Sequence, residues 1–179
     1  MGIIYLPFGT VEGQTARIAE YLAYVIREHG HKARTADLQT SDGALPPDCD
    51  GVIVGASVHM GKHEDCVTEF VKANKTALER LPSALFSVSL AAHGDAENAE
   101  GYVEKFEQET GWRPAHVALF AGALLYTQYG FFKRHMMKRI AGRQGSPDTD
   151  LTRDYVYTEW DGVRRFAEDF LAGLPAATA

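Results

Sequence analysis

A short loop near the amino terminus carries the first residues suited to binding a ligand. Residues 8–15 read Phe-Gly-Thr-Val-Glu-Gly-Gln-Thr and offer two hydroxyls and two glycines directly before a helical pattern. The unpaired amides and the dipole of a helix N-terminus favour an anion, so this loop suits a phosphate. The alternative is a simple glycine-containing turn in which Thr15 caps the helix. The candidate phosphate-binding residues are Thr10, Val11, Glu12, Gly13, Gln14 and Thr15.

Two further loops, at residues 57–61 and 89–94, also carry small and polar residues, and each follows an apolar run. If these runs are parallel strands, all three loops meet at one edge of a sheet, where α/β proteins bind ligands. That arrangement suits a mononucleotide with a flat ring, although small residues are also merely tolerated at strand ends. The candidate ring-binding residues are Ser57, Val58, His59, Met60, Gly61, Ser89, Leu90, Ala91, Ala92, His93 and Gly94.

A basic, aromatic segment is the most distinctive stretch of the chain. Residues 126–145 contain five bases and no acid, so they carry +5 within a net charge of −6, and the remainder carries −11. Phe132, Met136 and Ile140 form one helical stripe flanked by bases, which suits an anionic membrane surface or an anionic apolar ligand. Packing on its own domain or on a second subunit of a homo-oligomer is the alternative. The candidate substrate or membrane contacts are Tyr126, Phe132, Lys133, Arg134, Lys138 and Arg139.

Other chemistry has less support. His59 and His63 lie four residues apart, but no acidic or cysteine partner is evident, so we expect no metal site. No nucleophilic triad and no pair of catalytic carboxylates can be recognised, and we assign no catalytic residue. The acidic remainder of the chain argues against general nucleic-acid binding.

Alternating strand and helix patterns must position these loops. Five apolar runs lie at residues 3–8, 33–38, 52–58, 84–90 and 117–125, and all but the second are nearly continuous, as in strands buried on both faces. Helical periodicity centres on residues 18–26, 67–78, 99–106 and 163–171, the last opening on a capping-box-like Thr158 and Asp161. We predict an α/β fold, a flavodoxin-like three-layer sandwich with a five-stranded parallel sheet in the order 2-1-3-4-5. Residues 1–175 form a single domain, and residues 126–154 an insertion at or after the fifth strand.

Composition excludes several classes of protein. With 179 residues, 45% hydrophobic and 23% charged, the chain resembles an ordinary globular domain. No run approaches the roughly 18 apolar residues of a membrane-spanning helix. The amino terminus lacks a basic flank and predicts a buried strand, not a signal peptide. Two cysteines in no metal or redox spacing favour a reduced, cytoplasmic chain.

Several motifs together resemble the flavodoxin-type, menaquinone-dependent protoporphyrinogen oxidases of bacteria. The resemblance runs from about residue 3 to residue 170. It rests on Thr-Val-Glu-Gly-Gln-Thr at 10–15, Gly-Ala-Ser at 55–57, Glu-Phe-Val at 69–71, Pro-Ser-Ala at 82–84, Ser-Val at 87–88, Trp-Arg-Pro at 112–114, Ala-Gly-Ala-Leu at 121–124 followed by Tyr126, Asp-Thr-Asp at 148–150, and Val-Tyr-Thr at 156–158 with Trp160. The Ala-Gly-Ala-Leu segment, the insertion and the Tyr-Thr-x-Trp ending are the specific part, since all flavodoxins use related phosphate loops.

The resemblance implies FMN as cofactor and oxidation of protoporphyrinogen IX to protoporphyrin IX in haem synthesis. Electrons would pass to a membrane quinone, menaquinone or ubiquinone, with the enzyme cytoplasmic or peripheral on the inner face of the cell membrane. Thr10, Gly13, Gln14 and Thr15 would cradle the FMN phosphate, and the loops around residues 55–61 and 89–94 would flank the isoalloxazine ring. Because the flavin does the redox chemistry, we expect no side-chain nucleophile.

Two positions depart from the family pattern. Gly9 stands where a hydroxyl residue is expected, which removes one phosphate donor, and His93 stands where an arginine is expected. Two alternative functions remain: an electron carrier that docks a redox protein, and an FMN-dependent quinone reductase fed by a nicotinamide cofactor. A carrier usually presents an acidic face around its flavin, so the basic segment favours the enzyme.

Overall fold

The central sheet positions every candidate loop. The computed structural model describes residues 1–128, 130–143, 148 and 150–175. Five parallel strands pair in the order β2-β1-β3-β5-β6, which confirms the predicted fold and strand order, and the short β4 pairs antiparallel to β3. The strands are β1 (Ile3–Gly9), β2 (Lys32–Asp37), β3 (Gly51–His59), β4 (Lys62–His63), β5 (Ser83–Ser89) and β6 (His116–Ala121).

Helices cover both faces of the sheet and bury two separate cores. The helices are α1 (Gln14–Glu28), α2 (Asp65–Arg80), α3 (Ala96–Thr110), α4 (Phe131–Arg143) and α5 (Trp160–Ala172). The apolar stripes of α1 and α5, which include Leu22 and Phe170, pack on one face. Those of α2 and α3, which include Val67 and Phe106, pack on the other. Each stripe is buried because apolar residues recur every three to four positions.

The burial of the strands follows from their places in the sheet. The continuous apolar runs of β1, β3 and β5 lie in its interior, whereas β2 is an edge strand with half-exposed positions. The expectation that the fifth run is buried on both faces is wrong, because β6 forms the other edge and Val117 is 41% exposed. That run also ends early: the chain leaves the sheet at Gly122 and forms a separate strand, β7 (Ala123–Leu124).

The segment after β7 has a small core of its own. A 3₁₀ turn (Tyr126–Gln128) and α4 follow, and the chain returns through β8 (Tyr155–Val156), which pairs antiparallel to β7. Tyr126, Met137 and Ala141 are buried in one cluster with Leu124 and Leu125. The predicted basic helix is therefore present, held to the sheet by a two-stranded ribbon. No helix within the described ranges combines the length and the hydropathy needed to cross a bilayer.

The start of α5 differs from the expected capping box. Its N-cap is Glu159, without a side-chain capping bond. The Thr158 hydroxyl donates instead to the carbonyl of Ala121, at 2.7 Å. The box was predicted from local spacing alone, whereas the partner of Thr158 lies on a distant strand.

Candidate functional site

A two-part cleft lies at the carboxyl ends of β1, β3 and β5. Its two compartments are open to solvent and share walls formed by residues 58–59, 89–90 and Met137. The position follows from the topology, since the loops after neighbouring parallel strands converge at one edge of the sheet.

The three predicted loops supply most of the cleft walls. Gly13, Ala92, His93 and Gly94 are the predicted residues that the structure does not place among the lining residues. The predicted residues that line the cleft are Thr10, Val11, Glu12, Gln14, Thr15, Ser57, Val58, His59, Met60, Gly61, Ser89, Leu90 and Ala91.

The first loop leaves the N-terminus of α1 open to a ligand. The cap is Gly13, in the left-handed region at φ 89°, and it provides no capping side chain; the first turn contains no acid. Thr15 lies inside the helix and is buried, so the alternative in which it caps the helix is wrong. The amide of Gly13 donates to Thr10 Oγ1 at 2.9 Å, which closes the loop, and the Gln39 side chain braces it by donating to the carbonyl of Thr10 at 2.8 Å. This geometry favours an anion at the helix end.

The side chain of Gln14 provides a polar group that indicates which kind of ligand the cleft can bind. Its side-chain amide is 5% exposed and lines the cleft. Nε2 donates to Thr158 Oγ1 at 2.8 Å, but Oε1 is buried and has no partner among the described residues. Buried polar atoms are normally hydrogen-bonded. The site therefore fits a group that brings both an anion and hydrogen-bond donors, as a flavin nucleotide does.

The second loop is a tight hairpin between β3 and β4. Met60 and Gly61 both have positive φ, 50° and 81°, which turns the chain sharply and leaves Met60 at the rim, 87% exposed. His63 anchors the returning strand: its Nε2 shares a 2.8 Å hydrogen bond with the Ser87 hydroxyl, and its ring packs on Phe106. Burial lowers the pKa of His63 to about 4, so the imidazole is neutral near pH 7.

Within the described ranges, no three His, Cys, Asp or Glu side chains form a group able to hold a metal ion.

The third loop places His93 against an aromatic residue from a distant part of the chain. The imidazole is exposed and stacks on Tyr157, with ring centroids 4.2 Å apart and planes at 22°. The contact of His93 with a flavin ring stays a prediction. Tyr157 follows the insertion, and its amide donates to the carbonyl of Gly122 at 3.1 Å. No pattern within residues 89–94 predicts that His93 packs on Tyr157.

The insertion contributes one wall of the cleft through Met136 and Met137, and none of the predicted contact residues whose side chains the structure describes lines it. Tyr126 is fully buried and its hydroxyl donates to the carbonyl of Asp148, so its predicted direct contact with substrate or membrane is wrong. Burial also raises the pKa of the Tyr126 phenol. Arg134 is half-buried and its Nε donates to the carbonyl of Tyr126 at 2.9 Å, whereas Lys138 and Arg139 are exposed. The side chains of two further predicted contacts and of one stripe residue lie outside the described part of the chain: Phe132, Lys133 and Ile140.

Sequence reasoning missed several lining residues. They come from β5, from α3, from the break after β6 and from α4: Val88, Tyr102, Gly122, Ala123, Met136 and Met137. Met136 was recognised only as part of a helical stripe. The Ala-Gly-Ala-Leu motif could have predicted the break after β6, because a glycine inside an apolar run marks a bend or a close approach of backbones.

Packing explains the glycine at position 9. A Cβ at Gly9 would lie 2.6 Å from Val67 Cγ2 and 3.1 Å from Cys66 Sγ. A serine there would overlap the first turn of α2, so Gly9 allows that helix to approach the loop at residues 10–15.

Comparison with known proteins agrees with this architecture. The model of the protein family described as the flavodoxin domain matches residues 5–150 of this chain. Flavodoxin 1 of Bacillus cereus is 18% identical, with a TM-score of 0.58 over 97% of this chain and 99% of that one. A short-chain flavodoxin associated with a bacterial microcompartment is 13% identical, with a TM-score of 0.61 over 96% and 98% of the two chains. At these identities the likeness shows the fold alone.

Two curated relatives are similar along nearly the whole chain. The protein named protoporphyrinogen IX dehydrogenase (quinone) of Escherichia coli strain K12 is 36% identical over 165 residues, which are 90% of this chain and 91% of the relative. The protein of the same name from Leishmania major is 34% identical over 174 residues, 95% of this chain and 74% of the relative. The chain therefore belongs to the flavodoxin family, whose cofactor is a flavin, and groups there with these dehydrogenases.

Proposed function

We propose that this chain is an FMN-dependent oxidoreductase that converts protoporphyrinogen IX to protoporphyrin IX and passes the electrons to a quinone. The observation that carries the proposal is a flavodoxin-type cleft with one wall, at Met136 and Met137, supplied by a basic helix. The similarity to proteins named protoporphyrinogen IX dehydrogenase (quinone) supports the same assignment.

Among flavins, FMN suits the end of the cleft that lies at the N-terminus of α1. The first turn of α1 offers unpaired backbone amides without an acid or a capping side chain, so its dipole and its N–H groups favour one terminal phosphate. Thr10 and Thr15 line the same end of the cleft. When bound, the flavin supplies the acceptor of hydride and electrons, and the chain's own residues bind and orient it.

The rim of the cleft suits a large apolar substrate. Three exposed apolar side chains from three different elements border the cleft: Val11 is 44% exposed, Met60 87% and Met136 41%. Exposed apolar residues grouped around an opening mark an interaction site, whereas isolated ones need no explanation. Flexible methionines also adapt their packing to a flat macrocycle.

The basic helix suits the acidic groups of the same substrate. The sequence of α4 contains five bases and no acid, and Lys138 and Arg139, here called the α4 pair, are exposed. The α4 pair directly follows Met136 and Met137 in sequence and offers charge to the two propionates of the porphyrinogen. The same charges attract an anionic lipid surface, at about 1 kcal/mol for each base near the membrane. Docking there would bring the cleft close to a membrane quinone.

A turnover assay tests the proposal. Protein reconstituted with FMN is mixed anaerobically with protoporphyrinogen and a menaquinone analogue, and protoporphyrin is followed by its fluorescence. We expect turnover that requires both FMN and the quinone. Replacing the α4 pair by glutamine should raise KM for the porphyrinogen and leave FMN affinity unchanged.

Two exposed bases at the amino-terminal edge of the sheet, opposite the cleft, Lys32 and Arg80, provide a control pair with the same change of charge. Their replacement by glutamine should leave KM unchanged. Reduction of the quinone by a nicotinamide cofactor, without porphyrinogen oxidation, would contradict the proposal and favour a quinone reductase.

A further inference from the structure

A buried chain of three polar groups lies beneath the phosphate loop. The Gln14 amide donates from Nε2 to Thr158 Oγ1 at 2.8 Å, and Thr158 Oγ1 lies 2.7 Å from the carbonyl oxygen of Ala121. Gln14 is 5% exposed and Thr158 8%. The chain therefore connects the first helical turn of the domain to the end of β6 through a residue that follows the insertion.

The direction of each hydrogen bond follows from the chemistry of the groups. A hydroxyl has one hydrogen to donate, and a carbonyl oxygen only accepts. The hydrogen of Thr158 is therefore used on Ala121, and the Thr158 oxygen must accept its second bond from Gln14. Only the amide nitrogen of Gln14 can donate that bond.

The orientation of the Gln14 amide is fixed as a result. A flipped amide would place its oxygen 2.8 Å from a hydroxyl oxygen that has no hydrogen left to share. Oε1 is instead the atom left for the cleft that Gln14 lines, and it is buried without a partner among the described residues. A buried acceptor of this kind is costly unless a ligand or a water donates to it.

We propose that Thr158 is a positioning residue for the cofactor: it holds the Gln14 amide so that Oε1 accepts a hydrogen bond from a hydroxyl of the FMN ribityl chain. The inference rests on FMN as the flavin of the proposed function. Thr158 itself touches no cofactor and acts through Gln14. By this contact the segment that follows β8 stabilises the cofactor end of α1.

A double-mutant cycle on FMN affinity tests the inference without any measurement of activity. Apoprotein is titrated with FMN, and quenching of flavin fluorescence gives Kd for the wild type, Thr158→Val, Gln14→Ala and the double variant. Loss of one hydrogen bond should weaken FMN about threefold to tenfold in Thr158→Val. In the Gln14→Ala background the same change should have no further effect, because the group through which Thr158 acts is absent.

Two controls separate positioning from a general loss of structure. Thr158→Ser keeps the hydroxyl and should bind FMN as the wild type does, and it remains informative if the valine variant does not fold. The melting temperature of each apoprotein reports the structural cost independently of FMN.

The outcomes distinguish this inference from the function on which it rests. Equal losses of affinity from Thr158→Val in both backgrounds, or a Thr158→Ser variant as weak as Thr158→Val, would overturn the positioning role alone. A folded wild-type protein that binds no FMN would overturn the proposed function together with the inference.

Discussion

His63 should make the stability of the domain depend on pH in a way that one substitution removes. The imidazole is 5% exposed, shares its hydrogen bond with Ser87 and has its pKa lowered by burial to about 4, from an ordinary value of 6.5. Between those two values the unfolded chain binds a proton that the folded protein excludes, so stability falls as the pH falls through that window. Each unit of pKa corresponds to about 1.4 kcal/mol, so the full effect is on the order of 3 kcal/mol.

Chemical denaturation of the wild type and of His63→Gln at several pH values measures this effect. Other groups titrate in the same range, but they are common to both proteins and cancel in the difference. Between about pH 7.5 and about pH 4.5 the wild type should lose about 2–3 kcal/mol more of its free energy of unfolding than the variant does. Parallel stability curves for the two proteins would refute the reasoning, because they would show that His63 titrates alike in the folded and unfolded states.

Two further sets of variants test packing and charge. Gly55→Ala should destabilise the domain by about 1–3 kcal/mol in chemical denaturation, because its Cβ would overlap the Phe86 ring. Gly101→Ala lies in a helix where an added Cβ meets no atom within 4 Å, so it should stabilise the domain by about 0.5–1 kcal/mol. Equal effects of the two substitutions would contradict the packing argument. Replacing the α4 pair by glutamine should weaken binding to anionic vesicles and reduce its salt dependence in a sedimentation assay. The control pair should bind as the wild type does, and equal binding by all three proteins would exclude membrane attachment through α4.

Local sequence was sufficient for the sheet and for the geometry of the loop at residues 10–15. Apolar runs and helical periodicity determine which segments become strands and helices, and the short connections place their loops at one edge. The sequence Thr-Val-Glu-Gly-Gln-Thr acts within one turn, where the amide of Gly13 donates to Thr10 and leaves the helix end open. Such contacts lie within a few residues, so their spacing is visible in the chain.

Contacts between distant segments were not predictable in this way. His93 stacks on Tyr157, and Thr158 bonds to Gln14, across separations that no local pattern encodes. Residue type alone was also misleading for Tyr126, an aromatic beside a basic stretch that proved to be core.

The boundaries of the insertion show the same limitation. From its sequence alone, the basic segment at residues 126–145 resembles a surface insertion that a Gly-Ser linker could replace without harm to the core. Tyr126, Met137 and Ala141 are buried there, however, and Met137 lines the cleft. Point changes at exposed positions of α4 therefore test the insertion better than its removal.

The central claim is that the cleft brings protoporphyrinogen to a bound FMN. Its most direct test is a single anaerobic mixing of FMN-loaded protein with excess protoporphyrinogen, without quinone, while flavin absorbance is recorded. The account predicts bleaching of the oxidised flavin band on mixing, followed by its recovery when a menaquinone analogue is added. A flavin that stays oxidised in the presence of porphyrinogen, although a chemical reductant bleaches it, would contradict the account.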